Sequence, residues 1–148
     1  MKIYFLIIIL FTFKLTTANT KNFTIDMFFI NDKMDELTFP DGSRYSNVKN
    51  RGTWQDSFGD FGTLNCLFNF SSDNNNKNLN LIGFCDGKNQ SGEKLWLKLE
   101  RNTEDFDAGL GRSSITHGTG KYKSLVGIKC IYAVNILDES AFSKHKCK

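Results

Sequence analysis

An aspartate and a histidine are the residues of this sequence best suited to acid–base chemistry. Alternation in the strand-like segment 53–58 puts Asp56 on the same face as Trp54 and Phe58, and His117 ends a second such segment on its apolar face. Desolvation raises the pKa of an enclosed carboxyl group and a nearby imidazolium lowers it, so the pair could serve as general acid and base. The alternative, which we favour, is structural. In that case His117 hydrogen-bonds the glycine-rich turn beside it, and Asp56 lies at a rim or binds the backbone of a turn.

The sequence contains none of the common motifs for a cofactor, a metal or a nucleophilic serine. Lys121 follows Gly120, but a phosphate-binding loop would require glycine at position 115 and serine or threonine at position 122. No Gly-x-Ser-x-Gly elbow and no Cys-x-x-Cys pair occurs, and His117 and His145 lack ligand spacing. The acidic segment 104–107 lacks the spacing of a calcium loop, so we interpret it as a solvated turn. We therefore expect no metal and no cofactor.

The N-terminal segment has the pattern of a secretory signal peptide. Residues 1–18 contain an early lysine, an unbroken apolar run and small residues at a cleavage position, which predicts a secreted or periplasmic protein. An uncleaved membrane anchor is the alternative, which Lys14 disfavours because it interrupts the run, and no membrane span remains after cleavage. Removal of Lys2 and Lys14 lowers the formal charge from +3 to +1. A nearly neutral chain argues against nucleic acid or an anionic membrane as the partner.

The cysteines predict two disulfides. All four lie after the signal segment, and an even number in an oxidising compartment indicates that they pair. Cys66 and Cys85 are equidistant from the centre of a predicted hairpin and on its inner face, so they should lie opposite each other. This leaves Cys130 and Cys147, whose disulfide would dock a C-terminal tail, residues 137–148, against the last strand of a domain formed by residues 19–136.

The chain is predicted to be all-β. No segment sustains the apolar spacing of a helix, whereas segments of strand length recur between turn residues, and Asn50-Arg-Gly52 has the composition of a tight turn. Eight short strands close most simply into an antiparallel up-and-down β-barrel, which has no exposed edge. The predicted strands are 23–30, 43–49, 53–58, 63–70, 78–85, 93–101, 111–116 and 127–136.

Alternation also predicts the inner face of the barrel. Trp96, Lys98 and Glu100 should face outward between three inward leucines. The residues assigned to the interior are Leu64, Cys66, Phe68, Phe70, Leu79, Leu81, Gly83, Cys85, Leu95, Leu97, Leu99, Ile128, Cys130, Tyr132, Val134 and Ile136.

Three functions fit such a barrel, because a lumen of eight strands either holds one small ligand or is filled by side chains. We favour a barrel that binds a small apolar molecule in its lumen. A cyclase- or isomerase-like enzyme is the first alternative and requires the aspartate or the histidine to reach the same pocket. A filled barrel acting through its outer surface is the second. The predicted ligand-binding residues are Trp54, Phe58, Leu95, Leu97 and Tyr132.

A glycine corner near the C-terminus carries a family resemblance. The segment Gly118-Thr-Gly-Lys-Tyr122, with Gly127 five residues later, resembles the Gly-Thr-Gly-x-[Phe/Tyr]-x-x-x-x-Gly corner of the allene oxide cyclase and dirigent proteins. The resemblance implies a calycin-like, eight-stranded barrel with an apolar cavity, often a homotrimer, that binds a small lipophilic molecule or guides its cyclisation or coupling. Only the fold is carried over, because the catalytic acids of those families have no aligned positions here.

Overall fold

The computed structural model describes residues 22–105 and 107–148, and the predicted signal peptide at 1–18 lies outside this part. These residues form eight strands and one short 3₁₀-helix, η1, which precedes the seventh strand. The strands are β1 (Phe23–Thr38), β2 (Arg44–Asp56), β3 (Phe61–Ser72), β4 (Asn78–Asn89), β5 (Lys94–Arg101), β6 (Ala108–Gly118), β7 (Lys129–Leu137) and β8 (Ser140–Cys147), and η1 is Gly120–Leu125.

The strands form a closed antiparallel barrel in chain order. Each strand pairs with the next, and β8 pairs with β1, so no strand presents an unpaired edge. The predicted fold class, an eight-stranded up-and-down barrel, is therefore confirmed.

The turn predicted at Asn50-Arg-Gly52 is wrong, because β2 runs through it without interruption. Gly52 pairs with Phe29 of β1 and with Leu64 of β3. A Cβ atom at Gly52 would overlap the carbonyl oxygen of Phe28. The glycine is therefore needed for the close approach of a neighbouring strand, which is a common role of glycine inside a strand.

The predicted C-terminal tail is docked against β7 by its disulfide, as expected, but it is not separate from the barrel, because its residues form the eighth strand. β8 pairs with β7 on one side and with β1 on the other. The turn before it contains Asp138 with a φ of 53°, a left-handed conformation that aspartate tolerates better than most residues. The inward residues of β8 include serine and histidine, so its sequence lacks the apolar alternation that would have revealed a strand. The predicted number of strands is nevertheless eight, because β2 was predicted as two strands and β8 was not predicted.

Both predicted disulfides are confirmed. Cys66 and Cys85 are directly paired across β3 and β4, with their Cα atoms 4.1 Å apart. Cys130 and Cys147 are paired in the same way across β7 and β8, with their Cα atoms 4.0 Å apart. All four side chains are buried in the core. Each disulfide thus joins neighbouring strands from inside the barrel.

The core occupies the lumen, as the alternation predicts, with one clear exception in β4. Leu79 was assigned to the interior but is 56 % exposed. The pairing of β3 with β4 shifts register between Ser71 and Ser72, and Asn78 faces inward at the start of β4. An irregularity of one residue exchanges the two faces of a strand, which explains the error.

We expect the Cys130–Cys147 disulfide to stabilise the strand that closes the barrel. Replacing both cysteines by alanine should lower the free energy of unfolding by about 3 kcal/mol, the usual value for a closed loop of this length. Amide hydrogen exchange should also accelerate in β8, which would then be held by hydrogen bonds and packing alone. Urea unfolding and exchange mass spectrometry measure the two effects.

The matched control is the double alanine variant of Cys66 and Cys85, whose disulfide joins residues 19 positions apart, against 17 for Cys130 and Cys147. It should show a similar loss of stability with no faster exchange in β8. Equal exchange in β8 of both variants would contradict this role of the second disulfide.

Candidate functional site

One end of the barrel is closed by η1, the helix formed by the glycine corner. Tyr122 and Leu125 of η1 are buried in the core, and the Tyr122 ring lies edge-on to Trp54 with centroids 6.0 Å apart. Gly120 has a φ of 51°, and a Cβ atom there would overlap the carboxylate of Glu93. The corner thus delivers a side chain into the barrel as well as connecting two strands. We call this end the closed end.

A buried carboxylate binds η1 to the rest of the closed end. The Tyr122 hydroxyl donates a hydrogen bond of 2.7 Å to Asp60, and the Lys121 ammonium and the Gln90 amide donate bonds of 2.6 and 2.9 Å. Burial would raise the pKa of Asp60, but these hydrogen bonds outweigh it and hold the pKa below its usual value. Burial, together with Asp60, raises the pKa of Tyr122. An ionised Asp60 therefore stabilises the closure.

Asp56 binds a turn rather than facing the lumen. Its Oδ1 atom accepts hydrogen bonds from the backbone N–H groups of Phe58, at 2.8 Å, and Asp60, at 3.0 Å. Burial raises its pKa in spite of these bonds. The arrangement is that of a side chain that stabilises the β2–β3 turn, as in the structural alternative described above.

His117 lies on the outer surface, so the prediction that it faces the interior is wrong. Its ring is exposed and edge-on to Trp96, with centroids 6.2 Å apart. The pairing of β5 with β6 shifts register between Trp96 and Leu97, and this irregularity turns His117 outward. Asp56 and His117 therefore do not face a common interior pocket, and the acid–base pair predicted from alternation is not formed.

Four of the five predicted ligand-binding residues are in the interior, and the fifth is not. Trp54, Leu95, Leu97 and Tyr132 are buried in the core cluster. Phe58 is 50 % exposed and packs on Phe23 at the rim, with ring centroids 5.0 Å apart, so its assignment to the lumen is wrong.

Aromatic rings fill part of the lumen by lying against glycines. A Cβ atom at Gly83 would overlap the ring of Phe68, its partner across β3 and β4. A Cβ atom at Gly111 would likewise overlap the ring of Tyr132, its partner across β6 and β7. The missing side chains make room for the rings, so these two parts of the lumen are occupied by the protein itself.

A fully buried histidine is part of the interior that the sequence did not reveal. His145 of β8 bonds the hydroxyl of Ser113 through Nδ1, at 2.8 Å, and that of Ser143 through Nε2, at 3.0 Å. Its ring stacks on Tyr132, with centroids 4.8 Å apart. Burial lowers the pKa of His145 to about 3 and raises that of Tyr132 to about 12. Both groups are therefore neutral at physiological pH and link β6, β7 and β8.

The end opposite η1 has a cavity of about 410 Å³, which we call the open-end pocket. Its charged residues are partly paired: Lys77 lies 3.0 Å from Glu104, and Arg44 lies 3.8 Å from Glu36. The lining combines two apolar side chains with polar and charged ones, namely Met34, Glu36, Arg44, Phe70, Ser72, Asn76, Lys77, Glu104, Asp105 and Asp107.

Buried polar atoms adjoin the open-end pocket. Asn78 is 2 % exposed and pairs with Ser72, which lines the pocket. Its amide nitrogen donates a hydrogen bond of 3.0 Å to the Thr103 carbonyl, while Asn78 Oδ1 and Thr103 Oγ1 have no partner among the described residues. Arg101 is also buried here, and burial lowers its pKa although Tyr132 and nearby carboxylates act in the opposite direction. Asn78 Oδ1 can therefore accept a further hydrogen bond.

Comparison with protein families and with curated proteins finds no match for the chain. Within residues 22–105 and 107–148, no cluster of three or more His, Cys, Asp or Glu side chains could hold a metal ion. No helix in this part of the chain is long and apolar enough to cross a membrane.

His145 should make the barrel sensitive to acid. Its pKa is about 3 in the folded protein, whereas an unperturbed histidine, as in the unfolded chain, has a pKa of 6.5. Between these pH values the unfolded chain therefore takes up a proton that the folded chain does not. The contribution of the neutral His145 to the free energy of unfolding should be fully present above pH 6.5. Below that pH the free energy of unfolding should fall by up to roughly 1.4 kcal/mol per pH unit, until the pH reaches the pKa of the folded state. Urea unfolding as a function of pH measures this slope.

The slope contributed by this residue should be missing from His145→Gln and retained in His117→Gln, whose histidine is exposed on the outer surface. If His145→Gln and the unchanged protein lose stability equally between pH 6.5 and 4, the histidine is not buried as described.

Proposed function

We propose that this protein is a small-molecule-binding barrel whose ligand enters through the open end. The other end is closed by η1 and the Asp60 hydrogen bonds, and Phe68 and Tyr132 occupy parts of the lumen between the ends. A pocket of about 410 Å³ falls within the usual size range of small-molecule sites. The proposed ligand site thus lies at the open end of the lumen rather than in its middle.

The observation that carries the proposal is the unpaired acceptor on Asn78. A buried oxygen without a hydrogen bond costs about 1–3 kcal/mol, and proteins seldom leave one unpaired unless water or a ligand satisfies it. Asn78 Oδ1 requires a donor, and the neighbouring Thr103 hydroxyl can donate or accept. Met34 and Phe70 supply apolar contacts in the same pocket. The ligand is therefore an apolar molecule that carries a hydroxyl or amine group.

Binding is a better proposal than cyclase or isomerase activity. The catalytic hypothesis depends on Asp56 and His117, and these lie at the β2–β3 turn and on the outer surface. Neither lines the open-end pocket.

Export of the protein remains part of the proposal. Two disulfides are typical of proteins that fold in an oxidising compartment. This supports the predicted signal peptide at residues 1–18 and a secreted or periplasmic location.

Native mass spectrometry of the protein purified from its own compartment tests the proposal. We expect a non-covalent adduct of small mass on the unchanged protein. Thr103→Val removes one hydroxyl without changing the shape of the side chain, and Asn78→Leu removes the acceptor. Each should weaken binding by roughly tenfold, because each leaves a ligand donor unpaired.

The matched control is Asn80→Leu, an exposed position on the same strand, which should leave the adduct unchanged. Absence of any adduct on the unchanged protein, or equal adducts on all four proteins, would contradict the proposal. A filled barrel that acts through its outer surface would then be the remaining interpretation.

A further inference from the structure

The charges of the barrel are unevenly distributed although their sum is zero. Three of the chain's 19 basic residues, at positions 2, 14 and 21, precede the described part, so residues 22–148 carry 16 basic and 16 acidic side chains. A groove on the outer surface of β6, β7 and β8, of about 1360 Å³, is lined by five basic side chains and one acidic side chain, Glu100. The basic residues of this basic groove are Arg112, Lys129, Lys144, Lys146 and Lys148.

The strand register arranges these cations in rows. Ile131 pairs with Arg112 on one side and with Lys146 on the other, so two cations flank an apolar residue. Lys144 and Lys146 are two residues apart on β8, and their outward positions are about 7 Å apart along the strand. Lys148 continues this series, and its backbone N–H donates a hydrogen bond of 3.1 Å to the carbonyl of Lys129. The result is a line of positive charge along β8 with further cations beside it.

Few acidic groups compensate this charge. Within the described part of the chain, Lys144 alone of the five has a carboxylate within 4 Å, that of Asp26 at 3.5 Å. Glu100 is engaged by Lys98 at 2.6 Å. Eight basic residues outside the groove form such pairs in the same part of the chain. Arg112, Lys129, Lys146 and Lys148 therefore place four cations without such a pair side by side in the basic groove, where they are available to a partner.

We propose that the basic groove binds a sulfated or carboxylated polysaccharide. A linear polyanion can place its acidic groups on the row of lysines and the apolar faces of its sugar rings on Leu110 and Ile131, which are 61 % and 59 % exposed. The aromatic residues that line the groove, Phe23 and Tyr132, are buried, so the described lining offers no ring to stack on a nucleic-acid base. The cations line a groove rather than surround a protruding apolar tip, which favours a polymer chain over a bilayer surface.

The basic groove is separate from the open-end pocket, which lies at the open end of the barrel and has different lining residues. Either proposal can therefore fail without affecting the other.

The test is an isothermal titration calorimetry experiment, in which the full chain is titrated with heparin, polygalacturonate or neutral dextran at 50 and 200 mM salt. We expect heparin or polygalacturonate to bind, more weakly at the higher salt concentration, and dextran not to bind. Arg112→Gln with Lys146→Gln should lower the affinity roughly tenfold and reduce its salt dependence.

The matched control is Lys88→Gln with Lys123→Gln, two exposed lysines that also have no acidic partner among the described residues, and it should bind as the unchanged protein does. If the first double variant does not fold, Lys129→Gln with Lys148→Gln tests the same groove from its other end. The proposal is overturned if no charged polysaccharide binds, or if control and groove variants lose affinity equally. Tighter binding of a single-stranded oligonucleotide or of phosphatidylserine vesicles would overturn it too.

Discussion

The structure depends on the pairing of β8 with both of its neighbours. Without β8, β1 and β7 would each present an unpaired edge, and the lumen would be open along one side. The register of this pairing also decides which side chains face inward, because a slip of one residue exchanges the two faces of a strand. The disulfide between Cys130 and Cys147 holds that register from inside. A short C-terminal segment therefore determines both the closure of the barrel and the contents of its lumen.

The two faces of β8 support different parts of the functional account. Its inward residues Ser143 and His145 belong to a neutral hydrogen-bonded cluster, whereas Lys144 and Lys146 face outward into the basic groove.

The interior of the barrel differs between its two ends in how its polar groups are paired. At the closed end an ionised Asp60 holds η1 in place, and at the open end polar groups adjoin a pocket without all being paired. The polar groups at the closed end are thus paired with one another, whereas the open end retains Asn78 Oδ1 without a partner among the described residues.

The sequence predicted those features that depend on strict alternation. Fold class, the Cys66–Cys85 disulfide and most of the core follow from it, because a period of two residues is maintained over long parts of β3, β5 and β7. The Cys130–Cys147 disulfide then follows by elimination. Two of the errors occur where the period is interrupted. Leu79 and His117 follow irregularities in the pairing of their strands, and no residue type marks those positions in advance. His145 was missed because its strand alternates between small or polar inward residues and lysines. The available signal was its position two residues before Cys147, which places both side chains on the same face of a strand.

Nuclear Overhauser contacts between the backbones of β1 and β8 test the central claim, barrel closure by the C-terminal segment, most directly. The account predicts cross-strand contacts between Ile25 and His145 and between Met27 and Ser143, together with contacts between β7 and β8. Contacts from β8 to β7 alone, with none to β1, would mean that the sheet is open. The lumen, the buried histidine and the open-end pocket would then all be contradicted.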